Sequence, residues 1–232
     1  MALRGDVASY VLRVRRLRPG DRFLAFDPET RSEADVELLE PDGLIAQVRV
    51  GPLRPPEVAA TRELILLQGL PKGDKLDAIV RDATELGATR ILAVSAARSV
   101  VRLEGGRAAL RRARWQRIAE EAARQSGRAD PPLVLGPLSL AEATSSLPEG
   151  SRFAMDPGSA LPLGDVLSVA LSSSGALIFA VGPEGGLAEG ELASLEASGF
   201  ARVSMGPFVL RTETVAAALL GGVQILAGCT HP

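Results

Sequence analysis

Two glycine-bearing segments in the second half of the 232-residue chain carry residue types that could hold a small ligand. They are Gly182-Pro183-Glu184-Gly185-Gly186, and Met205-Gly206-Pro207 running on to Leu210-Arg211-Thr212-Glu213-Thr214. Each follows a short apolar run that reads as a strand. Ligands of open α/β sheets settle at the carboxyl ends of strands, and glycine lets the main chain approach a ligand closely. Thr212 or Thr214 is placed to cap the helix that follows, whose first amides otherwise lack partners. A pair of turns with an ordinary helix cap would use the same residues, so neither segment alone separates a ligand loop from punctuation.

Familiar nucleotide patterns fail on spacing. No Gly-x-Gly-x-x-Gly follows a strand, and Gly69-Leu70-Pro71-Lys72-Gly73-Asp74-Lys75 lacks the four-residue gap and the Gly-Lys-Ser/Thr ending of a phosphate-binding loop. His231 is the sole histidine and Cys229 the sole cysteine, which excludes a histidine triad, a multi-histidine metal site, a cysteine-based zinc site and a disulfide framework. A catalyst restricted in this way works with carboxylates, arginines, hydroxyls and backbone. Methyl transfer from a sulfonium needs little more, because the donor is already activated and positioning supplies much of the acceleration.

The elements that must position these segments fall into two textures. Up to Val50 the pattern is short and β-like, with strands at Phe23–Phe26, Ala34–Leu38 and Leu44–Val50 separated by Pro19-Gly20-Asp21 and Pro41-Asp42-Gly43 turns. This reads as a small barrel or curled sheet. Gly51-Pro52-Leu53-Arg54-Pro55-Pro56 propagates neither a helix nor an interior strand and forms the linker, which sets domains at 1–56 and 57–232.

From Glu63 strands alternate with helices. Leu64–Gln68 is a continuous apolar run suited to a strand buried on both faces, and Lys72–Leu86 places Leu76, Ile79, Val80, Ala83 and Leu86 on one helical face, closed by Gly87. Further strands are expected at Arg90–Ser95, Leu133–Leu135, Phe153–Met155, Leu177–Val181 and Val203–Met205, and helices at Ala108–Ser126, Glu189–Ser198 and Val215–Leu226. Such alternation predicts an open, mostly parallel sheet with helices on both faces.

The hydrophobic content of 46% is ample for two cores, and no apolar segment is long enough for a membrane span. The N-terminus lacks a signal-peptide pattern, and the expectation is a cytoplasmic protein. Net charge is only −2, but arginines cluster at 13, 15, 16, 18 and 22 and again at 98, 102, 107, 111, 112, 114, 117, 124 and 128. Arginine suits bidentate phosphate contacts and stacking on bases, although a GC-rich genome gives the same usage and most charged residues are only solvated surface.

The glycine segments, read together with Leu70–Lys75, Glu85-Leu86-Gly87-Ala88, Arg98-Ser99-Val100-Val101, Arg114-Trp115 and Glu121–Arg128, resemble in order the motifs of the RsmE-type family, the 16S ribosomal RNA uracil N3-methyltransferases of the SPOUT superfamily. The likeness covers nearly the whole chain from Glu63. Arg13–Asp21 is similar to the start of the family's PUA-like domain, a shorter match; Ser9 and Tyr10 stand where the family often has histidines, and Ala93 and Ala97 replace its usual proline and glutamate. The resemblance implies an α/β knot, with a deep C-terminal trefoil knot in a mostly parallel sheet, behind a small PUA-like β-barrel. It also implies S-adenosyl-L-methionine as cofactor, a homodimer that completes the pocket, and 16S rRNA or the assembled small ribosomal subunit as substrate, with no metal and no membrane.

On this reading Val181, Gly182, Pro183, Glu184, Gly185, Gly186, Met205, Gly206, Pro207 and Leu210 grip the adenosine, and Thr212, Glu213 and Thr214 hold the adjoining loop. Arg13, Arg16, Arg98, Arg111, Arg112, Arg117 and Arg124 meet phosphate, with Gln125 and Arg128 near the target base. The proton on uracil N3 calls for a base or for stabilisation of the anion; Glu184 is a candidate base and Arg211 a candidate electrostatic partner, and the alternative for each is a loop-fixing ion pair or hydrogen bond. A catalytically silent RNA-binding assembly protein on the same scaffold and a nucleotide-binding metabolic enzyme are the competing readings.

Overall fold

The computed structural model describes residues 1–27, 30, 32–99 and 105–228. Arg102, Val100, Val101, Cys229 and His231 lie outside them. The chain divides into two compact units, Met1–Ala59 and Ala60–Pro232.

In the first unit β1 (Ala2–Leu3), β2 (Arg22–Asp27), β3 (Ser32–Leu38) and β4 (Ala46–Val50) form an antiparallel sheet in the order β1-β4-β3-β2. Alternation along β3 turns Ala34, Val36 and Leu38 inward, and Val36 and Leu38 share a core with Ala46 and Val48. The stretch between β1 and β2, expected only as a basic segment, is helical: α1 (Gly5–Ser9) runs into a π-helical turn, Tyr10–Val14, and drops Ala8 and Val11 into the same core. Leu44 does not belong to the last strand as expected, because Asp42 and Ile45 close a tight turn that leaves it exposed. Glu33 is only 1% exposed; its carboxylate accepts from Arg54 Nε at 2.9 Å, and the two residues exchange both main-chain hydrogen bonds.

The second unit is built on six parallel strands: β5 (Leu64–Gly69), β6 (Arg90–Val94), β7 (Leu133–Leu138), β8 (Gly150–Met155), β9 (Ala176–Val181) and β10 (Ala201–Val203), in the order β10-β8-β9-β5-β6-β7. Every residue of β5 and β9 is buried, as central strands covered on both faces require. Leu64, Leu66, Leu177 and Phe179 point to one face, under α2 (Lys75–Glu85), α3 (Gly105–Gln125), α5 (Leu163–Leu171) and α7 (Thr212–Gly228). Ile65, Leu67, Ile178 and Ala180 point to the other, under α4 (Leu140–Ser145) and α6 (Glu189–Ala197).

Chain order reverses across the sheet between β5 and β9: β5 leads outward through β6 to β7, and β9 leads toward β10 on the opposite side. Crevices open at such points beyond the strand carboxyl ends. The last strand sits two residues earlier than expected, because Ala201 and Val203 pair with Phe153 and Met155 while Ser204 turns to bridge Pro162. Met205 is thereby released from the sheet. The short helices α4 and α5 had no counterpart in the sequence reading; α4 opens on a capping box in which Ser139 and Glu142 exchange hydrogen bonds.

Phe179 is fully buried, with its ring stacked on Phe153 at 5.5 Å. Phe179→Ala is expected to lower unfolding free energy by about 3–5 kcal/mol in chemical denaturation, and a loss below about 1 kcal/mol would show that this part of the core is not close-packed.

Candidate functional site

The sheet brings the two glycine segments to one edge. Val181, paired with Gln68, is the last residue of β9, and Gly182 follows at the point where the ladder ends. The Gly182 carbonyl accepts from Thr212 Oγ1 at 2.7 Å and from Gln68 Nε2 at 3.4 Å, and Gln68 Nε2 also donates to Thr212 Oγ1 at 2.8 Å and to the Gly69 carbonyl at 3.0 Å. Gln68 and Thr212 are 0% and 4% exposed. The expected helix cap is corrected here: the Thr212 hydroxyl points inward to the end of β9, and Thr214 lies exposed inside α7 rather than at its start.

The loop beyond β9 closes on itself, with the Gly186 N–H donating to the Pro183 carbonyl at 2.8 Å. A β-carbon at Gly182 would fall 2.6 Å from Gly186 C and 2.7 Å from Leu187 N, and one at Gly69 would fall 2.6 Å from Pro183 Cδ. Neither position admits a side chain without moving main chain. Arg98 covers the far side of the loop: its Nη1 donates to the Gly185 carbonyl at 2.7 Å, which sets a residue expected at phosphate against the glycine turn itself.

Glu184 is held from α2. Its carboxylate accepts from the Lys72 N–H at 3.2 Å and from Lys75 Nζ at 2.8 Å, and Lys75 Nζ lies 3.7 Å from Glu213 Oε2. Partial burial pushes the Glu184 carboxyl up, but the Lys75 ammonium and the main-chain N–H groups of Glu184 and Lys72 outweigh it and hold the group below its ordinary value. The same hydrogen bond raises Lys75. One ammonium thus bridges the loop after β9 and the first turn of α7, while Arg211 stands exposed beside them.

Met205, Gly206 and Leu210 of the second segment line an open cleft of about 340 Å³, mouth included, with Phe208, Val215, Val203 and, from the end of β8, Met155, Asp156 and Pro157. Gly206 has φ of 69°, in the left-handed region that favours glycine. Pro207 is exposed at its rim. The adjoining loop is fixed by Asp156, whose Oδ1 accepts from the Gly158 N–H at 2.9 Å. Sequence reasoning missed Gln68, Lys75 and the 155–157 wall. The signals were a lone amide ending an apolar run and an Asp-Pro-Gly cluster directly after a strand.

The arginines separate into distinct environments. Arg13 and Arg16 are exposed in the first unit, and Arg112, Arg117 and Gln125 are exposed on α3. Arg124, on the last turn of α3, is exposed as well. Arg111 is bound to Asp74 at 2.7 Å, and the neighbouring Arg114 to Asp77 at 2.6 Å. Arg128 is corrected from a surface to an interior residue: it is 8% exposed, donating to the Thr84 carbonyl at 2.7 Å and pairing with Asp130 at 2.9 Å. Among the described residues no group of three or more His, Cys, Asp or Glu could hold a metal ion, and no helix is long and apolar enough to cross a membrane.

Residues 59–224, which contain both glycine segments, match the family model described as an RNA methyltransferase domain. The chain is 38% identical to ribosomal RNA small subunit methyltransferase E of Mycobacterium bovis, over 96% of this chain and 85% of that one, and 31% identical to the protein of the same name from Bacillus subtilis, over 92% and 85%. The crystal structure of ribosomal RNA small subunit methyltransferase E from Neisseria gonorrhoeae bound to S-adenosyl methionine superposes with a TM-score of 0.87 at 32% identity, covering 97% of this chain and 91% of that one. The chain belongs to the ribosomal RNA small subunit methyltransferase E family.

Because Glu184 is depressed in the folded state, its ionised form adds stability above its ordinary value of 4.5, and that stability is lost as pH falls through the lower folded value. Carboxyl NMR titration should place its midpoint below 4.5 and move it upward in Lys75→Met. An unmoved midpoint in that variant would remove Lys75 as the cause.

Proposed function

We propose that this chain transfers a methyl group from S-adenosylmethionine to N3 of a uridine in 16S ribosomal RNA, acting in the cytoplasm on free RNA or the small subunit. The observation that carries the reading is the pair of glycine segments fixed to each other at the strand carboxyl ends where chain order reverses. The cofactor fits the residues present: the turn at Gly182 is closed by its own main chain and carries no side chain, and Met155, Met205, Leu210 and Val215 offer an apolar wall for a purine. The S-adenosylmethionine-bound relative, similar over almost the full length, supports the choice.

When bound, the cofactor supplies a methyl already activated on a sulfonium. Val181 to Gly186 and Met205 to Leu210 hold and orient it, while Thr212 and Glu213 keep the two segments together. Glu184 anchors the loop rather than taking the N3 proton, because the Lys75 ammonium and the Lys72 N–H hold its carboxyl below its ordinary value and make it a weaker base. The N3 proton passes to solvent water, and Arg211, exposed beside the site, stabilises the uracil anion that is left. The phosphate chain is met by Arg112 and Arg117 on α3, and by Arg13 and Arg16 on the first unit, read as a PUA-like RNA-binding domain.

A trefoil knot belongs to the same reading, supported by the return of the chain after β10 to bury Thr212 beneath Gly182. So does a homodimer. Its support is the pair Phe208 and Val209, 77% and 83% exposed beside the cleft.

Calorimetry should show S-adenosylmethionine binding that Gly182→Val abolishes, and mass spectrometry of 16S RNA should show one methyluridine made by the wild type. A purified dimer that takes up no cofactor would overturn the reading. Glu184→Gln is expected to weaken cofactor affinity and retain the single-turnover rate at saturating cofactor; a rate loss at saturation would restore Glu184 as the base. Arg112→Ala and Arg117→Ala should each flatten the salt dependence of RNA binding by about 0.7 in log–log slope, with a smaller change for the ion-paired Arg111→Ala.

A further inference from the structure

Gln68 is the polar end of an otherwise apolar, fully buried strand, and nothing in the family match assigns it a task. Strand alternation puts its side chain on the Leu64 and Leu66 face, beneath α7. Its two amide hydrogens are shared among three acceptors from three separate segments: Gly69 at the end of its own strand, Gly182 114 residues away and Thr212 144 residues away. Its Oε1 is buried and has no hydrogen-bond partner among the described residues. The orphan Oε1 costs stability that an apolar side chain would avoid, so what the amide supplies is its two donors.

The orientation of the amide is set by its neighbours. The Gly69 and Gly182 carbonyls accept only, and the Thr212 hydroxyl already gives its hydrogen to Gly182, so all three atoms demand a donor from Gln68. The Thr212 hydroxyl in turn connects the amide to the first residue of α7. Moving the amide therefore moves the Gly182 peptide and the start of α7 together. These are the two places from which the cleft's glycine segments are hung.

We infer that Gln68 is a positioning residue for methyl transfer: it sets the spacing between the Gly182–Gly186 turn and the segment leading into α7, and so the shape of the cofactor site, without touching cofactor or RNA. This rests on the cofactor reading given above. Displacements of about 1 Å in a positioning shell are enough to change rates by about a hundred-fold. The exposed Lys75 bridge links the same segments from outside, but it is ionic and screened by salt, whereas the Gln68 tie is buried and neutral.

The test compares Gln68→Met, which keeps the volume and removes the donor, with Thr212→Val and the hydroxyl-retaining Thr212→Ser. Gln68→Met and Thr212→Val should each weaken S-adenosylmethionine binding by about ten-fold or more with little change in melting temperature, the double variant should lose no more than Gln68→Met alone, and Thr212→Ser should bind as the wild type. Hydrogen exchange without cofactor should accelerate at residues 182–187 and 212–215 in Gln68→Met and stay unchanged in β6. A lowered melting temperature with wild-type affinity and loop exchange would make Gln68 merely structural and overturn the inference, as would additive losses in the double variant. If the wild type itself binds no cofactor, the functional reading fails, and the exchange experiment still decides whether Gln68 holds the two segments.

Discussion

A parallel strand that ends inside a protein leaves a carbonyl with no ladder partner, and at β9 that carbonyl belongs to Gly182. Burial makes an unmet acceptor expensive, on the order of 1–3 kcal/mol, so the chain must bring donors to it. It does so from two remote places, the Thr212 hydroxyl and the Gln68 amide. Much of the site's geometry follows from that requirement. The glycine turn cannot widen because its own main chain fills the space a side chain would need, and α7 must start where Thr212 can reach.

The sheet explains why the two glycine segments lie where they do. Central strands covered on both faces are apolar throughout, which leaves no polar chemistry within their length and places it at their ends. The ends of β5, β8, β9 and β10 contribute Gln68, Met155, Gly182 and the Met205 segment. These residues are scattered over 138 positions of sequence, from 68 to 205, and the parallel arrangement alone gathers them on one edge. Charge is added outside this frame, from α2 through Lys75 and from the loop after β6 through Arg98.

The architecture of the second unit could be read from the chain because burial on two faces writes itself as unbroken runs such as Leu64–Leu67 and Leu177–Val181. The face of α2 was legible for the same reason, through Leu76, Ile79, Val80 and Ala83. The helix α4 escaped because it spans only 6 residues, although Ser139 and Glu142 carried the spacing of a capping box. The glycine segments announced themselves locally. What joins them did not: a contact between positions 144 apart leaves no periodic trace, and a hydroxyl at the head of a helix reads as a cap until the tertiary fold turns it inward. Arg128 misled in a similar way, since a charge in an arginine-rich stretch reads as surface unless the Thr84 carbonyl and Asp130 that receive it are known.

Asp74 and Asp77, at the start of α2, hold Arg111 and Arg114, and this has a bearing on selectivity. A helix bearing a dense row of unpaired guanidiniums attracts any polyanion, and its grip on bulk nucleic acid rises with each counterion it releases. Neutralising two members of the row from a neighbouring helix thins that general attraction while leaving Arg112 and Arg117 exposed. In the RNA-binding role proposed for this helix, adhesion is thereby traded for discrimination: a partner must match where the remaining charges stand, and the protein can leave the many strands that do not.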